Sequence, residues 1–278
     1  MVKMLKQALK AVLSDAEINE VYSSFDIIGD IAIIKIPDSM NVKKQLIADA
    51  ILSEVKPVKS VFMQSSPVQG DFRVRNVEYV AGENRTLTIY KEHNCRFKVN
   101  VAKVYFSPRL STERARIAGM VNDGEVIVNM FAGVCTFSII IAKKRRCKIY
   151  SIDLNPDAYS LCVENVKLNK VTEHVIPMLG DAKDIIIKEL KGKADRVLMP
   201  LPERAKEYLE YAVMALKNEG VIHYFAHVHS DSRKDTHKVC ADELAQVMKV
   251  KYELKETRVV REVGPRFYQV VADIMVFK

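Results

Sequence analysis

EVIVNMFAGVCTFSIIIAKKRRCKIYSIDLNPDAY, residues 125–159, holds two short apolar runs on either side of a longer one. The first, EVIVNMF (125–131), has the length of a buried strand and ends in a small-residue turn around Gly133. The longer run, near 136–144, has helical length. CKIYSIDL (147–154) is again a strand, and a helix over 157–169 follows it. Strand, turn, helix, strand is a βαβ unit, and its two strands lie parallel in one sheet.

The alternation continues toward the C-terminus. HVIPML (174–179), DRVLMP (195–200) and GVIHYFAHV (220–228) read as strands, with helices over 182–190, 203–217 and 235–248. A helix over Ser111 to Met120 precedes them. Two long strands, 251–262 and 267–277, close the chain and are joined by VGPR (263–266), so they pair antiparallel. The expected fold is α/β: a Rossmann-like, doubly wound parallel sheet with a C-terminal antiparallel β-hairpin, the pattern of class I S-adenosylmethionine-dependent methyltransferases.

Upstream the pattern differs. Residues 2–13 read as a helix, and Ser14, Asp15 and Glu17 as the start of a second. FDIIGDIAIIKI (25–36) is a strand pair, or one strand bent at Gly29, and 41–55 is a helix. Four strands follow: VKSVFMQ (58–64), FRVRNVEYV (72–80), RTLTIYKEH (85–93) and RFKVNVAKVYF (96–106). The expected organisation is a small α+β module with antiparallel hairpins over 1–92, then the larger domain over 93–278.

Composition narrows the function classes. The chain has 278 residues, 49% hydrophobic and 28% charged, which excludes disorder and low complexity. No apolar run approaches the ~18 residues of a membrane span. The lysine-broken N-terminus does not read as a signal peptide, so a cytoplasmic protein with no membrane partner is expected. Cys95, Cys135, Cys147, Cys162 and Cys240 are scattered and form no C-x-x-C pair, so neither a zinc ribbon nor a disulfide framework is expected. Residues 1–92 carry 12 basic and 12 acidic side chains, so the net +8 lies after residue 92. That excess fits either a polyanionic partner such as nucleic acid or a simply basic surface.

The strand ends carry the candidate chemistry. The turn Phe131 to Cys135 lets a ligand approach the backbone at a helix start. Asp153 stands 20 residues after Gly133, where a carboxylate accepts from ribose hydroxyls; its other reading is a helix N-cap. Asp181 ends the third strand and could accept from an adenine amino group or cap the next helix. The chain lacks G-x-G-x-x-G, so no pyrophosphate cradle is present. This favours S-adenosylmethionine over a dinucleotide.

KVYFSPRLSTERARI (103–117), NMFAGVCTFSI (129–139), SIDLNPDAY (151–159), LNKV (168–171) and VLMPLPERAKEYL (197–209) resemble the archaeal and eukaryotic tRNA (guanine-37-N1)-methyltransferases. FRVRNVEYVAGE (72–83) is similar to their upstream module. The family's additional N-terminal domain has no room before it. The resemblance implies S-adenosyl-L-methionine as cofactor and tRNA as partner, at position 37 of the anticodon loop, with the protein acting as a monomer. By motif match it makes Glu113 the general base and Arg73 the upstream arginine, with Pro200 at the catalytic turn. The implied cofactor set is Phe106, Arg114, Phe131, Ala132, Gly133, Cys135, Asp153, Leu154, Asn155, Asp181 and Ala182. The chemistry suits these types. Guanine N1 is a poor nucleophile until its proton leaves, and a carboxylate can take it. A guanidinium can stabilise the charge that spreads to O6. Without the resemblance, Glu113 reads as a dipole-complementing residue in a helix capped by Ser111, and Arg73 and Arg75 as one solvated strand face.

Three positions depart from the family pattern. Pro200, in Pro200-Leu201-Pro202, stands where an asparagine is usual, Cys135 where a glycine is usual, and Asn129 where an aspartate is usual. A proline variant occurs in archaea, and some of its members also methylate carbon 7 of the tricyclic wyosine precursor. Two other readings are an aminocarboxypropyl transferase of that pathway and a noncatalytic RNA-binding relative. His223, His227 and His229 share a strand face. They are read as polar residues facing the substrate cleft rather than as metal ligands, and no metal is expected. Cys135 is read as a small buried hydrophobe. The run Lys143 to Arg146 reads as a solvated helix end, or as a phosphate contact.

Overall fold

The computed structural model describes residues 9–10, 12–22, 25–65, 72 and 74–278. The chain forms two compact units, residues 1–108 and 109–278. The sequence division at 92 cuts a hairpin that the first unit keeps whole.

In the first unit, α1 (Asp15–Tyr22) starts with a capping box: Ser14 Oγ accepts from Glu17 N, and the Glu17 carboxylate accepts from Ser14 N. Most of the helix expected over 2–13 lies outside the described residues; Leu9 and Leu13 are buried. Strands β1 (Asp26–Ile28), β2 (Ile31–Ile34), β3 (Ser60–Gln64) and β4 (Val77–Gly82) form a sheet in that order. The expected antiparallel pairs β1–β2 and β3–β4 are present, and between them β2 and β3 pair parallel. Helix α2 (Lys44–Glu54) lies between them, and a crossover returns the chain in the same direction. The strand expected from residue 72 starts only at Val77. Helix α2 and this sheet enclose a core of Ile18, Ala32, Ile34, Ile47, Ile51 and Val61.

Strands β5 (Leu87–Glu92) and β6 (Cys95–Asn100) form a separate hairpin, turned by His93 and Asn94 at φ 46° and 59°. The Asp30 carboxylate links it to the β1–β2 turn. It accepts from Arg85 Nη1 at 3.0 Å and from Thr88 Oγ1 at 2.6 Å. Gly29, at φ +61°, makes this approach possible: a Cβ there would lie 2.2 Å from Thr88 Oγ1.

The second unit begins with α3 (Ser111–Met120) and then builds the expected sheet. Its strands are β7 (Val126–Asn129), β8 (Lys148–Asp153), β9 (Val175–Leu179), β10 (Ala194–Met199), β11 (Leu216–His229), β12 (Lys251–Gly264) and β13 (Phe267–Phe277). The sheet order is β12-β13-β11-β10-β7-β8-β9. The five strands β7 to β11 run parallel; β13 pairs antiparallel to β11, and β12 to β13. Helices α4 (Thr136–Lys144), α5 (Pro156–Leu168), α6 (Ala182–Ile185, continued as a π-turn to Leu190), α7 (Ala205–Ala215) and α8 (Thr236–Val247) connect them. Val128, Ile152, Val197, Ile222, Ala272 and Ile274 are fully buried at the centre of the sheet. At about 25 cal/mol per Å² of apolar surface, this burial is the main driving force for the unit. Among the described residues, no helix is long and apolar enough to cross a membrane.

Candidate active site

In an open parallel sheet, ligands bind beyond the C-terminal strand ends, where the strand order reverses. Here the chain starts the parallel sheet with β7, goes to β8 and β9 on one side, and returns to β10 and β11 on the other. The turns after β7 and β10 therefore flank the switch point, and Met130 N bonds to Leu198 O at 3.0 Å across it. These turns contain Phe131 to Cys135 and Pro200.

The turn after β7 is built around Asp153. Its Oδ2 accepts from Gly133 N at 2.6 Å and its Oδ1 from Asn155 N at 2.9 Å. Each oxygen keeps a free lone-pair direction, as two vicinal hydroxyls would require. Asp153 does not cap α5; Asn155 does, accepting from Asp157 N at 2.9 Å. Burial raises the Asp153 carboxyl above its usual range, and the two amide bonds only partly offset this. Leu154 is exposed beside it and Ala132 is buried beneath it. Asn129 Oδ1, at the root of the turn, is buried and has no hydrogen-bond partner among the described residues. An unspent acceptor, an exposed apolar side chain and a half-used carboxylate around a bare backbone turn fit a nucleoside-amino-acid cofactor.

Cys135 stands at φ +66°, which explains why a glycine suits this position. The reading of Cys135 as a plain buried hydrophobe, and the expectation of no disulfide, are corrected. Cys135 is bonded to Cys162 on α5, one helical layer away and 27 residues on. The two positions share no local motif, so only the packing of α5 on the turn brings them together. Cys95, Cys147 and Cys240 are buried and form no disulfide among the described residues.

Of the two roles expected for Asp181, the structure shows the helix cap. Its Oδ1 caps α6, accepting from Lys183 N at 2.9 Å. Both oxygens also accept from the Tyr208 hydroxyl, at 2.9 Å each. Burial and Asp181 push the Tyr208 phenol up to about 12, so it stays a donor. The Tyr208 ring meets Phe131 edge-on at 5.1 Å, joining the turns after β7 and β9 into one wall. Sequence reading missed Tyr208; its signal was an aromatic on the inner face of a helix following the Pro200 turn. Ala182 is buried under the same cap.

Glu113 lies in the first turn of α3, only 4% exposed. Ser111 is the first residue of that helix rather than its cap; the N-cap is Leu110. Glu113 Oε2 accepts from Arg116 Nε at 2.6 Å, and Arg258 Nε on β12 stands 3.4 Å from Oε1. Arg116 Nη1 in turn donates to Asp273 Oδ2 at 2.5 Å. Arg116 could have been found from its i, i+3 spacing to Glu113. Asp273 could have been found as the one charge in the run FYQVVADIMVF (267–277). Arg114, on the same helix, is buried with its guanidinium 5.9 Å from the Phe137 ring centre on α4.

Phe106 belongs to the first unit, where it packs on Tyr90 at 4.8 Å and its carbonyl accepts from Arg75. Arg73 lies outside the described residues. His223 does not face a cleft; it is fully buried and donates to Asp273. A ring nitrogen there satisfies polar groups inside the sheet, which a surface histidine would not do. His227 meets Phe267 at a tilt of 49°, its ring centre 5.0 Å away, and His229 is exposed. Among the described residues, no group of His, Cys, Asp and Glu is arranged to hold a metal ion. Lys143, Lys144 and Arg146 are exposed at the end of α4.

Residues 88–255 match the TRM5/TYW2 methyltransferase domain and residues 5–86 the TYW2 N-terminal domain. The chain is 44% identical to the tRNA (guanine(37)-N(1))-methyltransferase Trm5b of Pyrococcus abyssi, covering 91% of this chain and 75% of that protein. It is 40% identical to the tRNA 4-demethylwyosine(37)-methyltransferase Taw21 of Saccharolobus solfataricus, covering 92% and 94%. Among solved structures, the complex of aTrm5 with tRNALeu superposes with a TM-score of 0.86 at 37% identity, covering 99% of this chain and 79% of that one. Methanocaldococcus jannaschii TYW2 in complex with AdoMet superposes with a TM-score of 0.66 at 30% identity, covering 92% and 100%. The two domain matches span most of the sequence, and the chain belongs to the TRM5/TYW2 methyltransferase family.

Proposed function

We propose that this chain methylates N1 of guanosine 37 in tRNA, using S-adenosylmethionine. The observation that carries the reading is the Glu113 carboxylate. It is buried, one oxygen accepts from Arg116 Nε at 2.6 Å, and the other makes only a looser 3.4 Å ion pair with the half-exposed Arg258. Such an oxygen can take the N1 proton and leave the nitrogen lone pair free to attack. Bound cofactor supplies a methyl group activated by its sulfonium. The chain's own residues do the rest. Asp153 holds the ribose hydroxyls, Asp181 the adenine amino group, and the turn Phe131 to Cys135 the methionine part. Arg73, assigned by motif, supports the charge that develops on O6. The relatives named for guanine-37 and 4-demethylwyosine-37 methylation, and the one solved with tRNA, support this substrate and partner.

Pro200 extends the reading. It directly follows β10 at the switch point and offers neither a side-chain amide nor an N–H. A site rejects analogues mainly by leaving buried polar groups unpaired, and an apolar wall makes fewer such demands. The chain therefore also accepts the tricyclic wyosine precursor at position 37 and methylates it at carbon 7.

The test is mass spectrometry of tRNA nucleosides after incubation with methyl-labelled cofactor, on tRNA bearing guanosine or the tricycle at position 37. Labelled N1-methylguanosine, and a labelled methyl on the tricycle, are expected. Transfer of an aminocarboxypropyl group would make the chain the other kind of transferase. Binding of tRNA and cofactor without any product would make it a binding protein.

A further inference from the structure

Glu113 is the end of a longer chain of buried polar groups. Arg116 donates through Nη1 to Asp273 Oδ2 at 2.5 Å and through Nη2 to Oδ1 at 3.2 Å. Asp273 Oδ1 also accepts from His223 Nδ1 at 2.6 Å. His223 Nε2 lies 2.8 Å from Arg196 Nη1. Arg196 continues to Glu125 through Nε at 2.7 Å and Nη2 at 3.0 Å, and to Met120 O at 3.1 Å. The path runs from α3 across the adjacent strands β13, β11 and β10. Glu113, Asp273, His223 and Arg196 are each no more than 5% exposed.

The direction of every bond is fixed. A guanidinium only donates, so His223 Nε2 must accept from Arg196 and its single ring proton sits on Nδ1. That proton points at Asp273. Asp273, pinned from this side, grips both Nη groups of Arg116 and sets the plane of its guanidinium. The Arg116 Nε then has one direction left, toward Glu113 Oε2. Each link holds the next, and the last one aims the carboxylate.

The charges also have a pattern. The path contains three carboxylates, two guanidiniums and a neutral histidine, and the half-exposed Arg258 beside Glu113 balances its charge. The groups facing Glu113 are Arg116 from its own helix and Arg258 from β12. Those facing Arg116 are Asp273 and, at 3.8 Å, Glu256. Burial pushes the His223 pKa down, consistent with the neutral ring. A purely structural role is an expensive explanation, because buried ion pairs give way to apolar residues of similar volume at little cost. Asp273 stands in an otherwise uncharged strand, where such a residue would fit.

We infer that Arg116, Asp273 and His223 are positioning residues that aim the Glu113 carboxylate. The inference rests on Glu113 being the base. The test is single-turnover methylation of tRNA by the full chain, with cofactor and tRNA affinities measured in parallel. His223→Leu and Asp273→Asn slow methyl transfer by about 10–100-fold, as a misaimed catalytic group does, with both affinities unchanged. His223→Asn, whose amide N–H replaces the Nδ1 donor, recovers most of the rate. Where His223→Leu does not fold, His223→Gln takes its place: it keeps the acceptor for Arg196, loses the donor to Asp273, and stays slow. Wild-type rates in His223→Leu and Asp273→Asn overturn the inference. So do equal rates in the Asn and Gln variants, or parallel losses of cofactor and tRNA affinity. Glu113→Gln is measured alongside. If it keeps the wild-type rate, the base reading falls and the positioning path with it; if it is slow while the path variants are fast, only the path falls.

Discussion

Two acids in the second unit are held in opposite ways. Asp153 is held by backbone: its oxygens take the N–H groups of Gly133 and Asn155, both on turns next to its own strand. Glu113 is held by side chains, through Arg116 to Asp273, which is 157 residues beyond that arginine. A backbone-held acid keeps its geometry as long as the turn keeps its shape, so nearby side chains can vary. A side-chain-held acid depends on every member of its path. The difference also shows in proton affinity. Burial raises the Asp153 carboxyl. In Asp273 burial acts the same way, but the bonds from His223 and Arg116 outweigh it and bring the carboxyl down to about 2.

The largest expected break is at Glu113. Glu113→Gln keeps the shape and removes the proton acceptor, so single-turnover methylation falls by about 10²–10⁴. Affinity for tRNA, measured by filter binding, stays near wild type. A surviving rate with a lowered melting temperature would reduce Glu113 to a helix-start residue.

The Cys135–Cys162 bond tests how far the backbone-held corner depends on a covalent tie. Closing a loop of this size stabilises by about 3 kcal/mol in the chain-entropy account. Cys162→Ser should lose that much in denaturant unfolding, and reductant should destabilise the wild type but not the variant. If reductant leaves the wild type unchanged, the Asp153 bonds alone hold the turn.

Asp153→Ala should weaken S-adenosylmethionine binding by about 1.5–3 kcal/mol for each charged hydrogen bond lost. Isothermal calorimetry reads this directly, and unchanged affinity would remove the ribose assignment.

Acid unfolding separates the two corners by sign. The folded pKa of Asp273 is depressed, so its contribution is present above the unfolded value of about 3.9 and is lost as pH falls toward about 2. That loss is about 2 kcal/mol. His223, also depressed, begins to destabilise the fold as pH drops below about 6.5. Asp153 has a raised folded pKa, so it costs stability at neutral pH, and that cost is relieved as pH falls. Asp273→Asn should therefore flatten the acid limb of a stability profile, and Asp153→Asn should raise stability at neutral pH. Identical profiles for the two variants would contradict the contrast.

The smallest effect is expected at Pro200. Pro200→Asn restores a polar side chain at the switch point and should shift the product ratio toward N1-methylguanosine by a few-fold, about 1 kcal/mol. Competition between guanosine and tricycle tRNAs, with products resolved by mass, measures it.

The legible parts of this protein are local in sequence. The strand and helix lengths between 125 and 277, the antiparallel final hairpin and the 20-residue spacing from Gly133 to Asp153 all depend on neighbours along the chain. Apolar periodicity reports which segments are buried and how long they are, and a βα turn places its next acid at a fixed distance. Periodicity does not report which buried segment meets which. The parallel pairing of β2 with β3, the Cys135–Cys162 bond, the Tyr208 contact to Asp181 and the line from Glu113 to Arg196 were therefore set only in the folded chain. His223 shows the reason most plainly. In the sequence it is one of three alternating histidines; in the sheet, pairing of β11 with β13 puts it opposite Asp273, and burial leaves it no partner but its neighbours across the strands.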